Sequence, residues 1–337
     1  MAQGAFTWHD GEREVYFGEG AVGRATGALD SSGWGRFELL STPRALDSCP
    51  RALVDAAATV HEVPQGPVTE TAAALCDRVR AADLAALGGG RVIDTAKAIA
   101  AVNGGRVAAI PTTLSGAEMT RIHRLPEGRQ AGPAGRVRPA LVFADPLEMT
   151  TQPERALRAS AMNALAHGAD SLYTPLANPV SRMVALEGGR LIAAGLDGLL
   201  DEAGRGDLAL GSILAAYALD SASFSLHHVI CQTLVRVMRI PHAETNAAIL
   251  PRALEALRDR GATGIPELAA ALGTSPDAIG ARIEELAGRR RTLAAIGADE
   301  NLLDEALDAM LDRATELERT PNPPGREELR RLIESAW

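Results

Sequence analysis

The chain predicts two successive domains of different class, an α/β domain over residues 1–152 and an all-α domain over residues 153–337. Three observations carry this. β-prone runs recur at the spacing of βαβ units up to about residue 150, no such run follows Pro153, and 337 residues give each domain enough chain to bury its own core.

The runs are Glu14 to Phe17, Phe37 to Leu40, Thr59 to Val63, Leu84 to Leu87, Val107 to Ile110 and Leu141 to Ala144, with Ala-rich helical stretches between them. Several are continuously apolar rather than alternating, the pattern of a parallel sheet covered by helices on both faces. The stretch Arg124 to Arg138 is rich in Gly, Pro and Arg and reads as a hairpin or lid. In the second half, breaks at Asn178 and Pro179, Gly204 to Gly206, Gly261 to Pro266 and Pro321 to Pro324 separate helices.

Composition narrows the function. Aromatic residues make up only 3% of the chain, so the core is aliphatic, and a carbohydrate groove or base-stacking platform lacks its raw material. A formal charge of -9 has the wrong sign for a sequence-independent nucleic-acid binder. Cys49, Cys76 and Cys231 are odd in number, widely spaced and form no CxxC pair, so reduced thiols are expected. Met1 to Asp10 has no secretion-signal pattern, and the longest strongly apolar stretch, Leu208 to Leu219, is too short for a membrane span. A cytoplasmic protein with no membrane or nucleic-acid partner is expected.

The sharpest local signal is Leu84 to Ala98, where an apolar run meets Gly88, Gly89 and Gly90 and then a helix. Glycine lets backbone approach a ligand, and a helix N-terminus offers free N–H groups to a pyrophosphate. A glycine turn needed only for tight packing has the same appearance. The next β-prone run ends in Thr112, Thr113 and Ser115, hydroxyls at the strand edge where open α/β sheets bind ligands. An earlier one ends in Ser41, Thr42, Pro43 and Arg44, with no acidic residue to hold an adenosine ribose, which permits a 2′-phosphate. In the helical half, Asn163 and His167 lie four apart, as do His228 and Gln232, and His242 opens a further helix. A lone histidine is more often structural than catalytic. Three on helices of one bundle suit a metal or acid-base site.

Together the blocks GGGRVIDTAKAIA (88–100), IPTTLSGAEMT (110–120), AMNALAHGADSLY (161–173), LHHVICQTL (226–234) and IPHAETNAAILP (240–251) resemble the iron-containing alcohol dehydrogenase family, and within it the maleylacetate reductases. The resemblance implies a dehydroquinate synthase-like fold: a Rossmann-like N-terminal domain, an all-α C-terminal domain, and NADPH or NADH with substrate in a cleft between them. It implies that Gly89, Gly90 and Arg91 meet the pyrophosphate, Asp94 holds their loop, Thr112, Thr113 and Ser115 line the nicotinamide half, and Ser41, Thr42 and Pro43 the adenosine end. His167, His228 and His242 would stabilise charge on the substrate oxygen and supply its proton.

The chain also departs from the family pattern. Metal-dependent members carry Asp where Asn163 stands, and a neutral amide is a weak ligand, so a divalent metal is not expected; if one is bound, His167, His228 and His242 are its ligands. Gln232 stands where the family places a histidine near the nicotinamide, Arg91 where Ser or Lys follows the glycines, and Gln130 where a basic residue is expected. Arg121 and His123 add charge after Thr120, either to face substrate carboxylates or as part of a solvated arginine-rich rim. The expected activity is NAD(P)H-dependent hydride transfer to a carbonyl or an enone acid by a homodimer acting on a small molecule. The alternatives are a non-redox enzyme on this scaffold or a ligand-binding protein without turnover.

Overall fold

The structure, a computed structural model, describes residues 6–132, 135–198 and 201–337, and only the backbone of residues 6–9. Residues 1–5 of the N-terminal segment and 133–134 of the Arg124 to Arg138 stretch lie outside the described residues. Contacts divide the chain into two units, Met1–Thr151 and Gln152–Trp337.

In the first unit, β1 (Phe6–Asp10), β2 (Arg13–Phe17), β3 (Phe37–Ser41), β4 (Val60–Glu62), β5 (Asp83–Gly88), β6 (Val107–Pro111) and β7 (Leu141–Ala144) form one sheet in the order β1-β2-β7-β6-β5-β3-β4. Every pairing is parallel except the β1–β2 hairpin. Its turn places Gly11 at φ 63, a left-handed conformation that suits glycine. Strand β1 is an addition to the strands read from the sequence.

Helices α1 (Ala25–Ser31), α2 (Pro43–Asp47), α3 (Arg51–Ala56), α4 (Val68–Cys76), α5 (Gly90–Asn103) and α6 (Pro146–Met149) complete the unit. One aliphatic cluster gathers Leu75, Val92, Ile93 and Ile99 against Leu84 and Val107, and another packs Leu29, Trp34 and Leu53 against Leu39, Ile110 and Phe143. Burial on both faces explains why the strands read as unbroken apolar runs. Chain order places β4 on one side of β3 and β5 on its other side, so the winding reverses between β3 and β5. Ser41 and Gly88 end the two strands that flank this switch point.

The segment after β6 is not the hairpin read from composition. It is an irregular chain clamped to α4 and α5 through Glu127 N–H to the Thr69 carbonyl (3.0 Å) and Gly132 N–H to the Ala101 carbonyl (2.8 Å). Lys97, fully buried on α5, spends its donors on Asp94 (2.8 Å) and the carbonyls of Ala117 (3.0 Å) and Ile122 (2.8 Å). His123 accepts from Val137 N–H at Nε2 (3.0 Å), which leaves Nδ1–H to donate to the Arg124 carbonyl (3.2 Å).

Beneath this clamp Glu118 is fully buried, with neither carboxyl oxygen hydrogen-bonded. Burial raises its pKa from 4.5 to about 7, against weaker opposing pulls from its own N–H, Lys97 and Arg13. A carboxyl raised in the fold contributes stability that is full below the unfolded pKa and lost as pH rises through the folded one. Glu118→Gln is therefore expected to exceed the wild type in stability at pH 8–9, by up to about 3 kcal/mol, with the difference vanishing toward pH 4.5. Melting temperatures across pH 5–9 check this, and parallel curves for the two proteins would show that Glu118 does not titrate there.

The second unit contains α7 (Glu154–Asp170), α8 (Pro179–Asp197), α9 (Glu202–Ala222), α10 (Leu226–Met238), α11 (His242–Asp259), α12 (Ile265–Ala271), α13 (Ile279–Leu286), α14 (Leu303–Leu311), α15 (Ala314–Leu317) and α16 (Arg326–Glu334). Its described residues include no strand. Helix α7 is buried on every side from Ala159 to Asp170 and packs against α8, α9 and α11. The glycines at 204 and 206 do not break a helix. They sit in the first turns of α9, whose N-cap Asp201 accepts from Gly204 N–H (2.9 Å). A Cβ on Gly195 would lie 2.6 Å from the Gly204 carbonyl oxygen, and one on Gly211 2.8 Å from that of Gly188. These glycines let α8 and α9 touch backbone to backbone, so they are packing residues. Among the described residues no single helix is long and apolar enough to cross a membrane.

Candidate active site

Two constellations carry the chemistry, one in each unit. In the first, the ends of β3, β5 and β6 are tied together. Ser41 Oγ donates to the Leu87 carbonyl (2.8 Å), and Thr112 N–H donates to that of Gly88 (3.1 Å). Thr42 caps α2 by accepting from Ala45 N–H (3.3 Å), with Pro43 preset at the first helical position. Helix α5 starts at Gly90, and Gly89 before it supplies no side-chain cap, so N–H groups of the first turn are left for an anion. A Cβ on Gly89 would lie 3.0 Å from Thr113 Cγ2, and one on Gly90 2.9 Å from Ser115 Cβ. The glycines are thus required by the neighbouring loop. Thr113 Oγ1 is buried without a partner, a hydroxyl ready for a ligand. Glycine cradle, uncapped helix and waiting hydroxyl suit a dinucleotide.

Arg91 is half-buried and donates to the Val63 carbonyl (3.2 Å), which braces the end of β4 against the start of α5. Asp94 is held by Lys97, a clamp residue the sequence reading passed over. Glu62, in register with Ser41, is a strand-end carboxylate that it also passed over. Arg121 is exposed, while both ring nitrogens of His123 are engaged by backbone.

In the second unit, α7 and α10 bring His167 and His228 into stacked contact, with ring centroids 5.0 Å apart. Asp170, one turn beyond His167 and completely buried, accepts from His228 Nδ1 (2.8 Å), Ser225 N–H (3.1 Å), His228 N–H (3.3 Å) and the Tyr173 hydroxyl. Burial would raise this carboxyl, yet its bonds to His228 and Tyr173 and the nearby imidazoles hold it at about 2. The anion fixes the proton of His228 on Nδ1. Nε2, buried and unbonded, is then a lone pair.

Desolvation first, then the neighbouring imidazoles, drives the His167 pKa well below its ordinary value and that of His227 to about 4. His242 also falls to about 4, by desolvation and then by His228, although the side chain keeps accessible surface. Asn163 Nδ2 lies 3.5 Å from His167 Nε2. Gln232 is half-buried and accepts from Arg313 (3.0 Å), whose guanidinium lies over the Phe224 ring beside His228.

A dinucleotide cradle on an α/β sheet and a buried carboxylate–histidine cluster define an NAD(P)-dependent oxidoreductase. The chain belongs to the iron-containing alcohol dehydrogenase family: the family's two models match residues 12–146 (iron-containing alcohol dehydrogenase) and 158–337 (its C-terminal region). It is 34% identical to maleylacetate reductase of Burkholderia cepacia, over 96% of this chain and 95% of that one. It is 33% identical to maleylacetate reductase 2 of Cupriavidus pinatubonensis, over 98% and 96%. Maleylacetate reductase from Agrobacterium tumefaciens shares the fold at a TM-score of 0.84 and 28% identity, over 99% and 98% of the two chains. An iron-containing alcohol dehydrogenase from Corynebacterium glutamicum does so at 0.84 and 28%, over 99% and 97%. Neither a non-redox enzyme nor a binding protein without turnover is favoured by these relatives.

The family points to iron beside NAD(P)H, which corrects the expectation that no divalent metal takes part. That expectation weighed the carboxylate missing at Asn163 and overlooked the one at Asp170. Among the described residues no three His, Cys, Asp or Glu side chains form a closed cage. The donor chemistry nevertheless fits. His228 Nε2 and His167 Nδ1 are buried and unbonded, and His228 is oriented from behind by a carboxylate, as metal-binding imidazoles usually are.

Proposed function

We propose that this chain reduces an enone acid of the maleylacetate type, or a closely related keto acid, with hydride from NADH or NADPH. The observation that carries the reading is the histidine cluster anchored on Asp170, in a chain alike over almost its whole length to proteins that are maleylacetate reductases. Gly89, Gly90, Thr113 and Ser115 hold the dinucleotide, with Thr112 and Asp94 fixing their loops and Arg91, Ser41, Thr42 and Pro43 the adenosine side. Arg121 meets substrate carboxylate, and His123 keeps that segment in place. His167 and His228, with their unbonded ring nitrogens, would hold the divalent metal, which would supply Lewis acidity toward the substrate oxygen, and His242 is left to proton transfer.

Hydride arriving at the electron-poor carbon leaves negative charge on the conjugated oxygen. His242, held neutral, meets it as an N–H dipole already in place, at no reorganisation cost. His242 keeps contact with solvent and relays the proton. Asn163 and Gln232 orient through amide hydrogen bonds and cannot donate a proton at neutral pH. A cytoplasmic homodimer belongs to the same proposal. The test is loss of absorbance at 340 nm with NADH or NADPH across maleylacetate, other enone and keto acids, and uncharged aldehydes and ketones. Turnover confined to uncharged carbonyls would sink the enone-acid assignment.

Ser41 to Arg44 offers a 2′-phosphate no carboxylate and one exposed guanidinium. NADPH is therefore expected to bind at least as well as NADH in calorimetric titration. A preference for NADH above about tenfold, roughly 1.4 kcal/mol, would reverse this and give the discrimination to Glu62.

A further inference from the structure

We infer that His227 and Asn246 are positioning residues that set the place of His242 through a buried relay between α10 and α11. The inference rests on the reading of His242 as the group that meets the reacting oxygen. His242 is the first residue of α11, and the chain reaches it abruptly: Arg239 is left-handed at φ 54, and Pro241 at the N-cap offers no side-chain cap. The first turn is braced from inside instead. Thr245 Oγ1 donates to the Pro241 carbonyl (2.8 Å), and Asn246 Nδ2 donates to that of His242 (2.8 Å).

The second bond decides the rest. With its NH2 on the His242 carbonyl, Asn246 turns Oδ1 to His227 Nε2 at 2.7 Å. An amide oxygen only accepts, so His227 carries its proton on Nε2. The opposite amide orientation would set oxygen against the His242 carbonyl. Both side chains are buried, Asn246 completely, so the His227–Asn246 bond is closed to water.

Adjacent residues on a helix point about 100° apart. His228 reaches Asp170 on α7, and His227 reaches Asn246 on α11. The dipeptide thus fastens the helix of His167 and the helix of His242 to one point of α10. Asp170 and Asn246 play corresponding parts, and each leaves its imidazole with one defined tautomer.

The experiment compares His227→Leu, Asn246→Leu and His227→Gln in the holoenzyme, the last keeping an N–H donor at similar reach. The leucine variants should lose about 10–100-fold in kcat, the range for partners that orient a ligand from behind, with KM for substrate and cofactor within about threefold of wild type. His227→Gln should recover most of the loss. Independently of turnover, the His242 ring resonances in 13C-histidine-labelled protein should move in both leucine variants and return in His227→Gln. 15N shifts should show His227 protonated at Nε2. The inference is overturned if folded His227→Leu keeps wild-type kcat and an unmoved His242 signal, if His227→Gln is no better than leucine, or if His227 is protonated at Nδ1. If the wild type reduces no carbonyl or enone acid, the functional reading fails, while the resonances still decide whether the relay holds His242.

Discussion

Replacing His242 with alanine is expected to lower kcat by about 10²–10⁴-fold while the fold stands, the usual range for a proton-transferring group. The ring keeps solvent contact, so its loss opens no sealed cavity, and the main chain there is held by Asn246 and Thr245 rather than by the imidazole. With its pKa lowered to about 4 by desolvation and by His228, the ring is neutral at pH 7 and contributes an N–H rather than a charge. Alanine leaves the developing oxyanion without that donor and cuts the route to water. Steady-state rates with NADPH, beside melting temperatures, check the outcome. Partial recovery with added imidazole would tie the loss to the missing proton carrier, and full activity in His242→Ala would show that the proton arrives elsewhere.

The legible parts of this chain are those in which local pattern and tertiary role coincide. Leu84 to Leu87 and Val107 to Ile110 read as buried parallel strands because both faces are covered, and the structure places them side by side at the centre of the sheet. Strand β1 went unread, although Asp10 and Gly11 before the Glu14 to Phe17 run are a hairpin signal. Gly204 misled because glycine reports a need for space without saying whether a turn or a neighbouring helix needs it.

The site shows the same division. His167, His228 and Asn163 were legible from helical spacing, and Asp170 lies three residues past His167, on the same face, inside the stretch AMNALAHGADSLY. His227 and Asn246 were hidden because their partnership spans two helices and no spacing rule reaches across. Arg313 is 81 residues from Gln232 in sequence, and no local pattern announces the pair. Asn163 drew attention to an absent carboxylate, while the present one supports the cluster from behind.

Asp170 is where the largest combined effect on stability and rate is expected. Its carboxylate collects four donors: the backbone N–H groups of Ser225 and His228, His228 Nδ1 and the Tyr173 hydroxyl. Alanine there strands all four in a dry interior at about 1–3 kcal/mol each, enough to consume most of the stability of an ordinary domain, so Asp170→Ala is not expected to accumulate as folded protein. Asparagine separates charge from shape. Its oxygen can keep the three N–H donors that share Oδ2, and its NH2 faces Tyr173, whose hydroxyl turns round to accept. His228 then keeps its tautomer and loses the negative charge behind it, for an expected fall in activity of about 10–100-fold. The acid limb of stability should change as well. A carboxyl depressed from 3.8 to about 2 stabilises the fold above pH 4 and ceases to as pH falls through 2, a contribution of about 2 kcal/mol that asparagine lacks. Acid unfolding curves and steady-state rates of Asp170→Asn measure the two effects separately. Wild-type rates in a folded Asp170→Asn would mean that orientation alone, without charge, is what Asp170 gives to His228.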